Sequence, residues 1–299
     1  MINQDYHKSV LMAEVLEYLV PQDGKTYIDA TFGGGGHTTA ILEAANCEVV
    51  GIDWDVKALD RGLELQDRFA DRLHLLLGNF ASLYLHHKNH KIPTVDGILA
   101  DFGTSQDQIF TKDGFSVHKD SPLDMRMSSG HYRLTAADIV NQYPEDALSK
   151  IFYELGEERS ARPIAKLIVE ERKKLKIMTT GRLAELVVRV KGAQRSPVHP
   201  ATKVFQALRM YVNHELENIN SFLQALPKVL NDGARVVCIS FHSLEDREVK
   251  HFFKDYARVH GKGRFEILTP KVVTASPAEL KANPSARSAC LRAAIYHKA

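Results

Sequence analysis

The sequence predicts an α/β fold, a doubly wound parallel sheet carrying an inserted helical domain. Three observations carry that prediction. Four short apolar runs, at 26–31, 48–52, 73–77 and 95–100, alternate with helical patterns over the first hundred residues. A glycine-rich turn follows the first run, and an acid follows the second. A fifth run, at 235–240, comes some 135 residues after the fourth, with helical patterns filling the gap.

The first four runs (TYIDAT, EVVGI, LHLLL and VDGILA) are rich in Val, Ile and Leu, and patterns such as 37–45 and 56–69 separate them. Strands and helices alternating at this spacing build βαβ units with right-handed crossovers. In the gap, helices are predicted at 134–140 behind a Thr135/Asp138 cap, at 145–155 behind Pro144, at 161–174 and at 182–190. The pattern 204–229 sets Phe205, Leu208, Val212, Leu216, Ile219, Leu223 and Leu226 three or four apart and predicts one long amphipathic helix. The NDG at 231–233 turns it into the fifth strand. Beyond that strand come a helix at 244–256 and an alternating strand at 265–273. A capping box from Ser276 to Glu279, with Pro277 at its first position, precedes a closing strand at 291–296. Residues 1–110 and 210–299 therefore form the sheet domain, and 111–209 the helical insertion.

The 299 residues are 44% hydrophobic and 25% charged, ordinary globular usage that excludes a disordered chain or a coiled coil. Cys47, Cys238 and Cys290 are far apart and form no CxxC, so neither a disulfide framework nor a zinc ribbon is expected. No apolar stretch approaches the roughly 18 residues of a membrane span. Residues 1–8 mix acids, bases and amides with no apolar segment behind them, unlike a secretory signal. A soluble, cytoplasmic protein is expected, with no membrane partner. The total charge of +2 hides a strong asymmetry, because residues 151–209 hold thirteen Lys and Arg against six acids. Such a segment is the footprint of a polyanion-binding surface, or else a solvated helical face.

The strongest local chemistry lies at 29–37, DATFGGGGH, where the first strand turns into the first helix. Glycines there let the backbone approach a ligand, and the helix start adds unpaired N–H groups. Asp53 follows Gly33 by twenty residues at the tip of the second strand, the place of an acid that takes ribose hydroxyls. A nicotinamide fingerprint counted from Gly33 wants Gly or Ala where Thr38 stands. Asp29, four residues before Gly33, instead suits the ammonium of S-adenosylmethionine (SAM). Asn79 and Phe80 at the third tip suit an adenine edge and face, although Phe80 read alone is core. The fourth strand ends at Asp101, which faces the reactive end of a ligand or caps the following helix. No Pro-Cys pair, GxxxxGK[ST], GxSxG or HExxH occurs. His86, His87 and His90 lie among Lys88 and Lys91, which predicts a solvated loop, and no metal site is expected.

The motifs HKSVL (7–11), DATFGGGGH (29–37), GFS (114–116), PLDMRM (122–127), HPAT (199–202), FQALR (205–209) and SFHSLEDR (240–247) occur in this order, followed by NPS (283–285) and Arg287. With them the chain resembles, over essentially its whole length, the RsmH (MraW) family of bacterial SAM-dependent methyltransferases of 16S ribosomal RNA. The resemblance implies a class I methyltransferase sheet and transfer of a methyl group to N4 of a decoding-centre cytosine in the small ribosomal subunit. It also implies cofactor contacts from Gly35, Gly36, His37, Asp53, Phe80, Asp101 and Gln108, beside Gly33 of the same turn. Where the family has DLGVSS this chain reads DFGTSQ at 101–106, and Ser121 replaces a glycine, but Asp101, Gly103, Ser105 and Gln108 are kept.

Asp101 is expected to polarise the amine. Asp124 and Arg126 are candidates for the second wall of the pocket, or for a structural ion pair. His242 and Glu245 are candidates at the fifth tip, against helix capping by Ser243. The insertion is expected to grip RNA phosphates. Two other readings stay open, a nicotinamide-dependent dehydrogenase and a non-catalytic RNA-binding assembly factor on a SAM fold.

Overall fold

The computed structural model describes residues 9–103, 113–130, 132–192, 198–258 and 263–298. The chain forms two compact units, one of residues 1–103 with 216–299 and one of residues 104–215.

The first is the sheet unit. It contains α1 (Met12–Leu19), β1 (Thr26–Asp29), α2 (Gly36–Ala44), β2 (Glu48–Asp53), α3 (Val56–Phe69), β3 (Leu73–Leu77), α4 (Leu83–Asn89) and β4 (Val95–Asp101). The strands run in the order β3-β2-β1-β4-β5-β8-β6. The first five are mutually parallel, and β8 lies antiparallel to β5 and β6. Alternation along the strands sends apolar side chains to both faces, as a doubly wound sheet requires. Ile28, Ile52, Ile98 and Val236 share one core with Phe222 and Phe252. Tyr27, Val49, Leu99 and Val237 share the other with Leu19, Ile41 and Leu65. All five parallel strands end at one edge, where an open α/β sheet binds its ligands.

The inserted unit holds α5 (Ala136–Gln142), α6 (Glu145–Gly156), α7 (Ala161–Glu171), α8 (Thr180–Lys191) and α9 (Thr202–Val212). A capping box starts α5, Thr135 Oγ1 accepting from Asp138 N and Asp138 returning an oxygen to Thr135 N. Leu148, Phe152, Ile164, Ile168, Leu183, Val187, Val204 and Leu208 recur at helical spacing and fill one core. Gly156 packs directly on the backbone of α9, and a Cβ there would stand 2.5 Å from the Lys203 carbonyl oxygen.

The remaining elements are α10 (Glu215–Val229), β5 (Leu230–Ser240), α11 (Ser243–Asp255), β6 (Phe265–Ile267), β7 (Val273–Thr274), α12 (Pro277–Ala282) and β8 (Cys290–Tyr296). Several depart from the sequence reading. The long helix at 204–229 is two helices, α9 and α10, broken at Asn213 and His214, where His214 has φ of 50°. Buried Asn213 fixes the break by donating to the carbonyls of Met125 and Arg209 and accepting from Met127 N. The NDG lies inside β5 as a bulge, since Val95 pairs with Leu230 but Gly97 with Arg235. The strand expected at 265–273 is two short strands, both paired with β8. The stretch read as a histidine loop is mostly helix α4, anchored by a 3.0 Å contact from His86 Nε2 to the Asn79 carbonyl. Among the described residues no helix is long and apolar enough to cross a membrane.

Candidate functional site

The turn after β1 is built around two carboxylates. Asp29, 1% exposed, accepts from Thr38 Oγ1 at 2.7 Å and Thr31 N at 3.2 Å, tying the turn to α2. Burial pushes its carboxyl up against the pull of His37 and Thr38. So enclosed, it pins the loop and does not offer the exposed anion expected for an ammonium group. Gly33 and Gly35 adopt φ of 54° and 73°, which side chains tolerate poorly. A Cβ on Gly35 would stand 2.4 Å from Leu65 Cδ1, and one on Gly36 2.3 Å from Ser9 Oγ, so these glycines are needed by the protein's own packing. A Cβ on Gly34 would meet nothing within 4 Å among the described residues, leaving space on the loop for a ligand.

Asp53 at the tip of β2 accepts from Gly33 N and Asp55 N, both at 2.8 Å. These bonds lock the glycine turn against β2 and leave a further lone pair on each oxygen. Burial pushes the carboxyl up to about 6 despite the two N–H donors. Beside it stands Trp54, 6.5 Å from Phe80 between ring centroids. Phe80 is half-buried and also packs on Phe102 and Phe222, so it is core on one side and accessible on the other. Asn79 is occupied in capping the turn at 80–82 and in a bond to Asn218, rather than presenting a free amide. Trp54, the only tryptophan, belongs to no motif named above; its signal in the sequence is its place directly after the expected ribose acid.

Asp101 at the tip of β4 is aligned by its backbone N–H, which donates to Thr31 Oγ1 at 2.7 Å. Its side chain is 13% exposed, with Oδ2 4.0 Å from His37 Nδ1. The other oxygen, Oδ1, is buried without a hydrogen-bond partner among the described residues. Burial raises the carboxyl to about 6; His37 pulls it down, while Asp29 and Glu245 push it up. His37 Nε2 contacts the Val10 carbonyl at 2.9 Å, and a carbonyl only accepts, so Nε2 carries the proton. Nδ1 is thereby turned toward Asp101.

At the tip of β5 the cap of α11 is His242 itself, not Ser243. His242 Nδ1 accepts from Glu245 N at 3.3 Å, and Glu245 returns an oxygen to Phe241 N at 2.8 Å. Histidine here takes the N-cap place usual for serine, while the glutamate satisfies the N–H one residue before the cap. Asp124 and Arg126 lie in the inserted unit and pair with each other, Nε to Oδ1 at 2.7 Å and Nη2 to Oδ2 at 2.8 Å. Burial pushes Asp124 up, but the arginine's bonds outweigh it and hold the carboxyl below its usual range. Gln108 lies outside the described residues.

The insertion's basic excess is partly internal. Lys191 pairs with buried Glu158, Arg182 and Lys174 with Glu171, and Arg209 with Glu215. Arg172 donates to the carbonyls of Val140 and Tyr143. Arg159, Arg162, Lys166, Lys173 and Lys176 remain exposed, with no ion pair among the described residues.

These groups fit SAM: an acid with spare lone pairs for ribose, aromatic rings at the neighbouring tip, an open glycine turn, and an unpartnered carboxylate oxygen on the next strand. Comparison with known proteins agrees. The chain matches the model of the MraW methylase family over residues 4–296. It is 44% identical over 303 residues to a protein of Granulibacter bethesdensis, covering 96% of this chain and 90% of that one. It is 42% identical over 306 residues to one of Rickettsia canadensis, covering 97% and 98% respectively. A third, from Thermomicrobium roseum, is 44% identical over 305 residues, covering 96% and 93%. Each is named "Ribosomal RNA small subunit methyltransferase H"; none carries a dehydrogenase name. With its doubly wound sheet and a family match spanning nearly the whole chain, the protein belongs to the MraW methylase family and is a class I SAM-dependent methyltransferase.

Proposed function

We propose that this chain transfers a methyl group from SAM to the N4 amine of a cytosine in the decoding centre of 16S rRNA, in the small ribosomal subunit. The names of its relatives support the RNA. The chemistry rests on one observation, the buried Oδ1 of Asp101 at the tip of β4, which has no partner among the described residues. A buried acceptor without a donor is costly in a folded protein unless a ligand completes it.

When bound, SAM supplies an electrophilic methyl group on a sulfonium. Asp53 would accept from the ribose hydroxyls, and Phe80 with Trp54 would flank the adenine. Gly33 to Gly36, with His37 at the start of α2, would hold it at the turn after β1. The target base leaves its stack to reach the crevice, at a cost of a few kcal/mol. The N4 lone pair is conjugated with the ring and is a poor nucleophile. Asp101 Oδ1 would accept one N4–H, which adds electron density to the nitrogen and orients the amine so that its lone pair can leave conjugation with the ring. As the N–C bond formed, that proton would pass to Asp101, whose carboxyl lies 4.0 Å from His37 Nδ1. General-base help of this kind contributes about 10²- to 10⁴-fold.

Asp124 and Arg126 enter this reading as a structural pair that shapes the inserted unit, since each satisfies the other. The inserted unit supplies RNA affinity through its exposed cations Arg159, Arg162, Lys166, Lys173 and Lys176. The test is incubation of small subunits from a strain deleted for the gene with the protein and methyl-labelled SAM, followed by mass spectrometry of the RNA. One new N4-methylated cytosine is expected. Tight RNA binding without incorporation would favour a non-catalytic assembly factor.

A further inference from the structure

The insertion is not the only basic region. Residues 216–299 carry thirteen Lys and Arg against eight acids, whereas residues 1–103 carry eight against fifteen. The sheet unit is therefore acidic along its first segment and basic along its second. Part of the second segment's charge converges on a cavity of about 340 Å³ formed by α11, β8, edge strand β6 and the chain just after it.

Lys250 and Lys254 stand one helical turn apart on α11, so their ammonium groups leave the same face. Both are exposed, and neither has an ion pair among the described residues. Arg292 at the wall is held rigid by Asp246, through Nε at 2.6 Å and Nη2 at 2.9 Å. Phe253, Ile267 and Pro270 give the cavity an apolar wall, with Thr269 beside them. Two unpaired cations beside an apolar wall match an anion that carries a flat apolar body. A nucleotide of a polynucleotide has that character, with its phosphate between the ammoniums and its sugar and base against the wall. Cofactor chemistry is not expected here, because β8 and β6 lie at the opposite side of the sheet from β1 and β2.

We propose that this cavity is an RNA-binding subsite of the sheet unit, holding a phosphodiester and its nucleoside of the substrate RNA outside the methyl-transfer crevice. The proposal rests on the RNA-methyltransferase reading above. It assigns part of the RNA grip to the unit that performs the chemistry.

The experiment compares wild type with Lys250→Gln/Lys254→Gln in binding isolated 16S rRNA across a salt series, beside SAM affinity and thermal unfolding. The double variant is expected to bind the RNA about tenfold more weakly at low salt, with a log–log salt slope smaller by about 1–2. SAM affinity and unfolding should not change, and Lys250→Arg/Lys254→Arg should keep wild-type binding. An unchanged slope in a folded, SAM-binding variant overturns the subsite and leaves the RNA reading intact. Failure of wild type to bind RNA at all overturns that reading itself. Weakened binding to assembled small subunits, with naked rRNA bound normally, assigns the cavity to an acidic protein surface and also overturns the proposal.

Discussion

In the inserted unit, Glu158 is 3% exposed and meets Lys191 Nζ at 2.6 Å, and Glu171, 7% exposed, is shared by Lys174, Arg182 and Arg189. At the carboxyl edge of the sheet unit, the Asp101 side chain is 13% exposed, yet Oδ1 has no donor among the described residues and His37 Nδ1 stands 4.0 Å from Oδ2. The two treatments of a buried carboxylate mark two purposes. Where the partner is built in, the charge holds helices together. Where it is missing, folding alone leaves the acceptor unsatisfied, and a ligand's N–H completes it. Asp29 shows that incompleteness is not imposed by the strand tips, since both its oxygens are bonded one strand away.

Substitutions that exchange these situations should sharpen the contrast. Asp101→Ala should lower single-turnover methyl transfer to 16S rRNA by about 10³-fold while SAM and RNA affinities stay within a few fold. In the inserted unit, Glu158→Gln leaves Lys191 without its counter-charge at a site 13% exposed. It should destabilise the protein by about 3 kcal/mol in urea unfolding. Asp101→Asn should act in the opposite direction. The carboxyl lies at about 6 in the fold against an ordinary 3.8, so its contribution is stabilising below 3.8 and is lost as pH rises through 6. The asparagine variant should therefore unfold at a higher temperature than wild type at pH 7 and show no such gain at pH 3.5. The difference at pH 7 is about 1–3 kcal/mol. Smallest of all, Glu185→Gln removes an exposed i,i+3 partner of Arg182 and should change stability by under about 0.5 kcal/mol.

Much of this was legible in the chain. Strands β1 to β4 announce themselves because buried parallel strands are short apolar runs, and the glycine turn and the acids Asp53 and Asp101 sit at their ends by sequence alone. The break between α9 and α10 was not legible. Val212 and Leu216 keep the helical spacing across it, and it is made by Asn213 bonding to Met125 and Met127, more than eighty residues away in sequence. Helix α4 was hidden by its histidines and lysines, since its anchor is a tertiary contact of His86. At the site, residue types were readable but their bonding was not. That Asp29 is satisfied and Asp101 is not depends on which hydroxyls and N–H groups the folded loop brings near each. The proton position on His37 likewise depends on the Val10 carbonyl, twenty-seven residues earlier in the chain.

The central claim is that an ionised Asp101 completes its bonding on the target amine. The most direct measurement is the pH dependence of kcat/KM for methyl transfer to small-subunit RNA, compared between wild type and Asp101→Asn. Wild-type activity should rise with pH through an acidic limb near 6, and the limb should vanish in the much slower variant. A variant that keeps the same limb, or a rate within a few fold of wild type, would contradict the account.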